Sequence, residues 1–278
     1  MAVSAQFPII PEQWGQVFLG VIPLRAEPSD KSELVSQLVF GEQYQVLALE
    51  PSWVKIKAQY DGYEGWVAIN QVQKTTHNSV STVPKIVSSP WGKLEKGAQK
   101  FWIPLGSELY GLTDQNQLLF QDTWWHYEGD FIPNNTSTSP ISPESLLATM
   151  RLFWKTPYLW GGKTPWGVDC SGFVQQVMKL WGVKLYRDAY QQAAQGSLVT
   201  SFTEAQTGDV AFFHRDNRIV HVGIVVQTQH LHSDYQQDKK ADYHIFHAFE
   251  AVRCDILDGK GIFNTSLQVY THQLAHIQ

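Results

Sequence analysis

The stretch from Tyr158 to Trp181 constrains the fold more than any other part of this sequence. Its first half contains four residues that interrupt regular structure, Gly161, Gly162, Pro165 and Gly167. Its second half repeats apolar residues at the spacing of one buried helix face, Phe173, Val174, Val177, Met178 and Trp181. Asp169 stands at the N-cap position and Gly182 can end the helix. The stretch therefore predicts a glycine-rich loop followed by a helix.

Cys170 falls in the first turn of this predicted helix. The unpaired N–H groups and the positive end of the helix dipole favour a thiolate there. Cys170 is therefore a candidate nucleophile. The alternative is a buried structural cysteine, which is the usual fate of a lone Cys. Cys170 alone does not decide between the two interpretations.

The bulk properties exclude several classes of protein. The chain has 278 residues, which allows one large domain or two to three small ones, and a formal net charge of −5. It contains no basic cluster, so we expect no nucleic acid partner. It contains no apolar run of about 20 residues, so we expect no membrane span. Its first residues lack the features of a signal peptide, which predicts a cytoplasmic protein, or a periplasmic or exported one if a leader was removed. The contexts of Cys170 and Cys254 do not suggest a disulfide framework.

The first part of the chain, residues 1–74, has the pattern of a small β-barrel. Short apolar runs alternate with turn signals from about Val17 to Val72. Four fragments resemble, in their order, a bacterial SH3-like domain: Leu24-Arg25-Ala26-Glu27-Pro28, Gly41-Glu42, Trp53-Val54-Lys55-Ile56 and Asp61-Gly62-Tyr63-Glu64-Gly65-Trp66-Val67.

Two polar segments, Thr75 to Pro84 and Asn134 to Pro140, read as linkers. Between them, Lys85 to Ile132 is rich in short β-like runs, so residues 75–138 are predicted to hold a second, degenerate SH3-like barrel with its linkers. Residues 139–278 begin with the helix-start signal Ser142-Pro143-Glu144 and continue with several strand-like runs. Helices followed by an antiparallel sheet predict an α+β domain.

A nucleophilic cysteine needs a base and a group that orients the base. His221 interrupts an apolar strand pattern, Val220 to Val226, and His247 lies in the next one, Ile245 to Phe249. If these strands pair antiparallel, both imidazoles can lie on one face, although each could instead be a hydrogen-bonded core residue. The other histidines in polar contexts, His214, His230, His232 and His244, are predicted to be solvated. A zinc site at His230 and His232 lacks a third and fourth ligand, so no metal is predicted.

Five motifs in order resemble the NlpC family of bacterial cell-wall cysteine peptidases: Tyr158-x-Trp160-Gly161-Gly162, Asp169-Cys170-Ser171-Gly172-Phe173, Thr207-Gly208-Asp209-Val210-x-Phe212-Phe213, His221-Val222-Gly223-Ile224 and Phe246-His247-Ala248. The resemblance covers about residues 142–278. It implies a papain-like fold of helices packed on an antiparallel sheet, with no cofactor. It also implies Cys170 as nucleophile, His221 as general base, His247 as orienting residue and Tyr158 as an active-site tyrosine.

One departure from the family is the segment Gln227 to Tyr243, where the family has a short hairpin. This insertion leaves His244 as an alternative to His247, although the following Ala248 favours His247.

A catalytic domain preceded by SH3-like domains resembles one subgroup of the family. Members of this subgroup cleave γ-D-glutamyl-L-diamino acid bonds in cell-wall peptides that have a free N-terminal L-Ala, which implies a role in peptidoglycan recycling. By this resemblance Asp169, Ser171, Glu33 and Tyr63 are substrate-binding residues around the ammonium group. Glu33 could instead be a surface acid, Tyr63 a barrel residue and Asp169 only an N-cap. The predicted partners are peptidoglycan-derived peptides, and we expect a monomer. The alternative functions are a Cys/His acyltransferase or amidase, and a catalytically weak cell-wall-binding protein.

Overall fold

The computed structural model describes residues 10–72, 83–133, 142–235 and 241–278. The chain divides into two compact units between Asn134 and Asn135. The predicted linker Asn134 to Pro140 lies outside the described residues, as does most of the predicted linker Thr75 to Pro84. In the described part of the chain, every helix is too short or too polar to cross a membrane.

The first unit begins with a six-stranded antiparallel sheet. Its strands are β1 (Trp14–Gln16), β2 (Val21–Arg25), β3 (Leu34–Val39), β4 (Gln43–Leu49), β5 (Trp53–Ala58) and β6 (Glu64–Ala68), in the spatial order β1-β4-β5-β6-β2-β3. Alternating side chains such as Ile22, Leu24, Val54 and Ile56 are fully buried and form the core. This is the small β domain that the fragments between Leu24 and Val67 predict.

The second β domain is built from two small sheets. Its strands are β7 (Lys85–Val87), β8 (Trp91–Lys96), β9 (Gln99–Pro104), β10 (Glu108–Leu109), β11 (Gln117–Phe120), β12 (Thr123–Glu128) and β13 (Phe131–Pro133). The orders are β11-β12-β8-β9 and β10-β7-β13. The structure therefore contains the second β segment predicted between Lys85 and Ile132.

The two β domains of the first unit have separate cores but are in contact at Phe40. Phe40, which follows β3, is buried in the core of the second domain, with its ring 5.3 Å from that of Phe120. The backbone N–H of Glu108 donates to the carbonyl of Phe40 at 2.8 Å. A Cβ at Gly41 would collide with the carbonyl oxygen of Glu108. The close approach of the two backbones therefore depends on a glycine at this position.

Within its described residues, the second unit contains three α-helices, two short strands and a barrel, besides short 3-10 turns. The elements are α1 (Pro143–Arg151), β14 (Lys163–Thr164), β15 (Gly167–Val168), α2 (Cys170–Leu180), α3 (Ala189–Gln192), β16 (Val210–Arg215), β17 (Arg218–Gln227), β18 (Tyr243–Phe249), β19 (Ala251–Asp258), β20 (Gly261–Asn264) and β21 (Val269–Ile277). Strands β16 to β21 form a closed antiparallel barrel because β21 pairs with β16. The predicted sheet is thus antiparallel but closed.

Both predicted helix starts are present. The Ser142 side chain accepts from the N–H of Ser145, with Pro143 at the first helical position. Helix α2 begins at Cys170, is buried along its whole length, and is followed by Gly182 with a φ of 73°. Phe153, two residues after α1, packs its ring edge to face on Phe173 of α2, 5.6 Å away. This packing holds the start of α2 in place.

The contact at Gly41 can be tested by substitution. Gly41→Ala combines a φ of 86° with the collision at Glu108, so we expect it to lower the free energy of unfolding by about 3 kcal/mol. Gly97→Ala is the matched control, because Gly97 has a φ of 58° but open space around its Cβ position. We expect the control to cost about 1 kcal/mol. Urea unfolding followed by tryptophan fluorescence measures both, and equal shifts would contradict a tight junction here.

Candidate active site

The candidate nucleophile lies at the start of a helix whose N-cap is fully formed. Cys170 is the first residue of α2 and is 7% exposed. The Asp169 carboxylate accepts the N–H of Gly172 at 2.7 Å, which satisfies one of the free donors of the first helical turn. Its second oxygen accepts the N–H of Gly161 at 2.8 Å, which ties the preceding loop to the helix.

Asp169 is also paired with a buried arginine. Arg187, which is 1% exposed, donates to Asp169 Oδ1 at 3.0 Å and to Oδ2 at 2.6 Å. The same guanidinium donates to the hydroxyl of Ser171, which itself donates to Asp169. Sequence reasoning missed Arg187, because a single arginine in a polar segment carries no distinctive signal.

This ion pair bears on the predicted ammonium pocket. Asp169 and Ser171 lie together beside the nucleophile, as the resemblance implies. However, the positive charge of Arg187 offsets the negative charge of Asp169. Both carboxylate oxygens of Asp169 also already accept hydrogen bonds. An ammonium group at this position would therefore need a further negative group. The substrate-binding role of Asp169 and Ser171 stays a prediction.

The environment of Cys170 opposes its ionisation. Burial, with the nearby Asp169 carboxylate, raises the pKa of Cys170 to about 12. The backbone N–H groups of Ser171 and Val222 and the charge of Arg187 act in the opposite direction. The expectation that the helix start favours a thiolate is therefore outweighed by desolvation. The contact with Val222 brings the strand that carries His221 to the sulfur.

Tyr158 lies beside the nucleophile. Its N–H donates to the carbonyl of Glu250 at 2.9 Å, which fixes the loop before α2 against the turn between β18 and β19. Burial raises the pKa of Tyr158, and the neighbouring Cys170 and Asp169 raise it further. The hydroxyl therefore stays protonated at neutral pH and can donate a hydrogen bond near the sulfur.

His221 and His247 meet inside the barrel. Strands β17 and β18 pair antiparallel with Gly223 opposite His247, so the two imidazoles lie on one face. His221 Nε2 is 2.8 Å from His247 Nδ1, and the side chains are 4% and 0% exposed. The structure thus brings together the two histidines that the sequence singled out.

His244 is not at this site, and the prediction that it is solvated is wrong. It is fully buried, and its Nδ1 is 2.9 Å from the hydroxyl of Thr228. Strand β18 begins at Tyr243, two residues earlier than predicted, so His244 is a strand residue on the face opposite to His247. His214 and His230 are partly buried, whereas His232 is exposed as predicted.

No group of three or more His, Cys, Asp or Glu side chains suited to a metal ion is found among residues 10–72, 83–133, 142–235 and 241–278.

A carboxylate that sequence reasoning missed completes the chain of hydrogen bonds. His247 Nε2 is 3.0 Å from Asp255 Oδ2, and Asp255 is 1% exposed. Arg253 donates to Asp255 Oδ1 at 2.9 Å, and its Nε lies 2.6 Å from Oδ2. Burial raises the pKa of Asp255, but the hydrogen bonds from His247 and Arg253 outweigh it, so the pKa is lowered overall. Asp255 is therefore an ionised acceptor.

This carboxylate determines where the protons of both histidines lie. Burial lowers the pKa of His247 and lowers that of His221 well below the usual value, so both rings are neutral near pH 7. Asp255 requires a proton on Nε2 of His247, which leaves Nδ1 as an acceptor. His221 must then donate from Nε2. Its Nδ1 is consequently unprotonated and can act as a base.

Glu33 and Tyr63 belong to the first unit. Glu33 is exposed, and its carbonyl accepts the N–H of Ala26 at 3.0 Å across the turn between β2 and β3. Tyr63 packs partly buried against the core of the first barrel, and its N–H donates to Asp61 Oδ1 at 3.0 Å. The structural role considered for Tyr63 is thus present, and the substrate-binding roles of both residues stay predictions.

Two family models match the chain. Residues 155–251 match the NlpC/P60 family, and residues 24–72 match the bacterial dipeptidyl-peptidase Sh3 domain. The first match includes Cys170, His221 and His247, and the second includes Glu33 and Tyr63.

Similar proteins include two curated peptidases. The chain is 29% identical to dipeptidyl-peptidase 6 of Lysinibacillus sphaericus, over 68% of this chain and 78% of that protein. It is 28% identical to the γ-D-glutamyl-L-lysine dipeptidyl-peptidase of Bacillus subtilis, over 69% of each. A crystal structure of an NlpC/P60 family protein from Bacillus cereus superposes with a TM-score of 0.77 at 18% identity, covering 96% of this chain and 99% of that one. The predicted fold class is confirmed.

The proton arrangement predicts the effect of Asp255→Asn. An asparagine can donate to His247 Nε2, which reverses both tautomers and puts a proton on His221 Nδ1. We expect the rate at which iodoacetamide alkylates Cys170 at neutral pH to fall at least about tenfold. Mass spectrometry measures this rate, and the buried Cys254 is an unreactive internal reference.

Asp258→Asn is the matched control, because Asp258 lies on the same strand but caps the following turn through the N–H of Lys260. Equal alkylation rates in the Asp255 and Asp258 variants would contradict the proton arrangement derived above.

Proposed function

The chain combines an NlpC/P60 domain with a bacterial dipeptidyl-peptidase Sh3 domain, as predicted, and on this premise we propose that it is a cysteine peptidase of cell-wall peptides. Its substrate is a peptide with a free N-terminal L-Ala, cleaved at the γ-D-glutamyl-L-diamino acid bond. The observation that carries the proposal is the hydrogen-bonded series His221, His247 and Asp255, which gives the base a defined tautomer. The helix-start thiol of Cys170 lies against the same strand, through the backbone N–H of Val222.

The first step acylates the enzyme. The thiol proton of Cys170 moves to Nδ1 of His221 as the sulfur attacks the γ-glutamyl carbonyl carbon. The resulting imidazolium is stabilised by His247, which accepts from its Nε2–H and in turn donates to Asp255. His221 then gives the proton to the leaving amine as the C–N bond breaks, and a thioester remains on Cys170.

The second step hydrolyses the thioester. His221 is neutral again once the amine has left, so it can take a proton from an attacking water. Collapse of the second tetrahedral intermediate breaks the C–S bond and returns the proton to the sulfur. The enzyme is then ready for another cycle.

The oxyanion of both intermediates has donors at the start of α2. The first N–H groups of a helix have no partner within the helix, so the N–H of Cys170 can serve. The protonated hydroxyl of Tyr158 is the second candidate, because it lies near the sulfur without ionising at neutral pH. Both donors are present before the substrate binds, which avoids reorganisation during the reaction.

The neutral thiol and imidazole are consistent with this mechanism. A buried pair of charges would need strong compensation, and the site places its fixed charges in two arginine–carboxylate pairs, Arg187 with Asp169 and Arg253 with Asp255. Transfer of one proton from Cys170 to His221 creates the ion pair at the moment of attack, when the carbonyl accepts the developing negative charge.

Recognition of the substrate amine is proposed to use Glu33. Glu33 carries an exposed carboxylate, which suits an ammonium group. Tyr63 and Ser171 are proposed as further substrate-binding residues through their hydroxyls. The name of the Bacillus subtilis relative supports the γ-D-glutamyl bond as the target. Cleavage of small peptides fits a role in peptidoglycan recycling, and the cytoplasmic location and monomeric state stay predictions.

The central test is cleavage of L-Ala-γ-D-Glu-diaminopimelate, with products identified by mass spectrometry. Cys170→Ala removes the nucleophile, so we expect loss of at least about 10³-fold in kcat/KM. Cys254→Ala is the control, because this second thiol is buried and should leave the rate unchanged. Full activity of the Cys170 variant would rule out the mechanism.

A second test concerns the amine pocket. Glu33→Gln should raise KM for the peptide with a free L-Ala amine roughly tenfold, with little change in kcat, because a charge-assisted hydrogen bond is lost. An N-acetylated peptide should be cleaved poorly by the wild type and no worse by the variant. Glu27→Gln, another exposed acid of the same turn, is the matched control. Equal cleavage of free and acetylated peptides would exclude the pocket.

A further inference from the structure

A third histidine lies flat against His221. His272, on strand β21, has its ring centroid 4.0 Å from that of His221, with 22° between the planes. The hydrogen-bonded pair of His221 and His247, by contrast, is nearly perpendicular, at 84°. His221 is therefore held by a hydrogen bond at its edge and by a stacked ring on its face.

The ring of His272 is itself fixed in place. Phe249 meets it edge to face at 5.0 Å, and its Nδ1 is 2.9 Å from the hydroxyl of Thr271. Its backbone pairs with Ile262 inside the closed barrel. A ring held by the barrel on several sides can define the plane of the ring stacked on it.

The charges around His272 come from four neighbouring strands. His221 and His247 face it from β17 and β18, while Asp255 of β19 and Arg215 of β16 act on it electrostatically. Burial, with His247 and Arg215, lowers the pKa of His272 to about 4, and Asp255 opposes this shift. His272 is therefore neutral at the pH where His221 must accept a proton.

We propose that His272 is a positioning residue for the general base in the proposed hydrolysis: its stacked ring keeps Nε2 of His221 on His247 and leaves Nδ1 for the thiol of Cys170. In its neutral form the aromatic face of His272 also tolerates the imidazolium that forms during attack. A protonated His272 would instead place a like charge 4.0 Å from that imidazolium.

Two substitutions separate the effect of ring stacking on His221 from the effect of the titratable imidazole of His272. His272→Phe keeps an aromatic ring of similar size and removes the titrating group, whereas His272→Ala removes both. The matched control is His276, which lies on the same strand and stacks on Phe212 at 5.1 Å and 27°, without a ring contact to His221 or His247. His276→Phe and His276→Ala therefore disturb an equivalent stack elsewhere.

Two assays are run against pH. The first gives kcat and KM on L-Ala-γ-D-Glu-diaminopimelate, and the second gives the rate at which iodoacetamide alkylates Cys170, which needs no substrate. We expect His272→Ala to lower the plateau of kcat and the alkylation rate about tenfold with KM unchanged, and His272→Phe to stay within about threefold of the wild type.

The acid limb of the pH profile of kcat/KM distinguishes this role from a purely structural one, which would leave it unchanged. Below about pH 4 His272 is itself protonated, and its charge lowers the pKa of His221, so removing His272 raises that pKa. We expect the acid limb of kcat/KM to move to higher pH in both His272 variants and to stay unchanged in both His276 variants.

Three results would each overturn the proposal. His272→Ala could keep the wild-type plateau of kcat, or the Phe and Ala variants could lose kcat and alkylation rate equally. The third is an acid limb of kcat/KM that does not move in His272→Phe. If His272→Ala does not fold, the acid limb of His272→Phe decides. If the wild type does not cleave the peptide while the alkylation rates still separate the variants as expected, the proposed function fails and the positioning role stands.

Discussion

The buried ion pair between Asp169 and Arg187 is the interaction on which the rest of the site depends. The single Asp169 carboxylate accepts from the loop at Gly161, from the helix start at Gly172 and twice from Arg187. Removing one partner of a buried pair leaves an uncompensated charge, which typically costs about 3–5 kcal/mol. The position of Cys170 is therefore set by this charge pair.

The base is held by a second pair of the same kind. The pair of Asp255 and Arg253 adjoins His247. In the same way, the pair of Asp169 and Arg187 adjoins Cys170. In each case an arginine neutralises the carboxylate, so that fixed charges orient the reacting groups without adding net charge. Because the remaining groups, Cys170 and His221, are both buried, their neutral forms are favoured and the proton is shared only during reaction.

The barrel brings these groups together from distant parts of the chain. Closing β21 against β16 places His272 on the face of His221, and the pairing of β17, β18 and β19 aligns His221, His247 and Asp255. An open sheet with the same local pattern would leave His221 without its stacked neighbour. The closure is thus the structural condition for a base whose ring plane and tautomer are both defined.

Local patterns in the sequence were enough to predict the helix start at Cys170, the strands of His221 and His247, and the β domains before them. Helix and strand periodicity act over a few residues, so they survive in the sequence. Arg187, Asp255 and His272 could not be found this way, because their partners lie far along the chain and their neighbours are ordinary polar residues. Burial could not be predicted from the sequence either. It raises the pKa of Cys170, opposite to the expected direction, and His244 is buried rather than solvated. The sequence alone singled out the candidate reacting groups, whereas the tertiary structure determined their protonation and orientation, since both depend on desolvation and on contacts between distant strands.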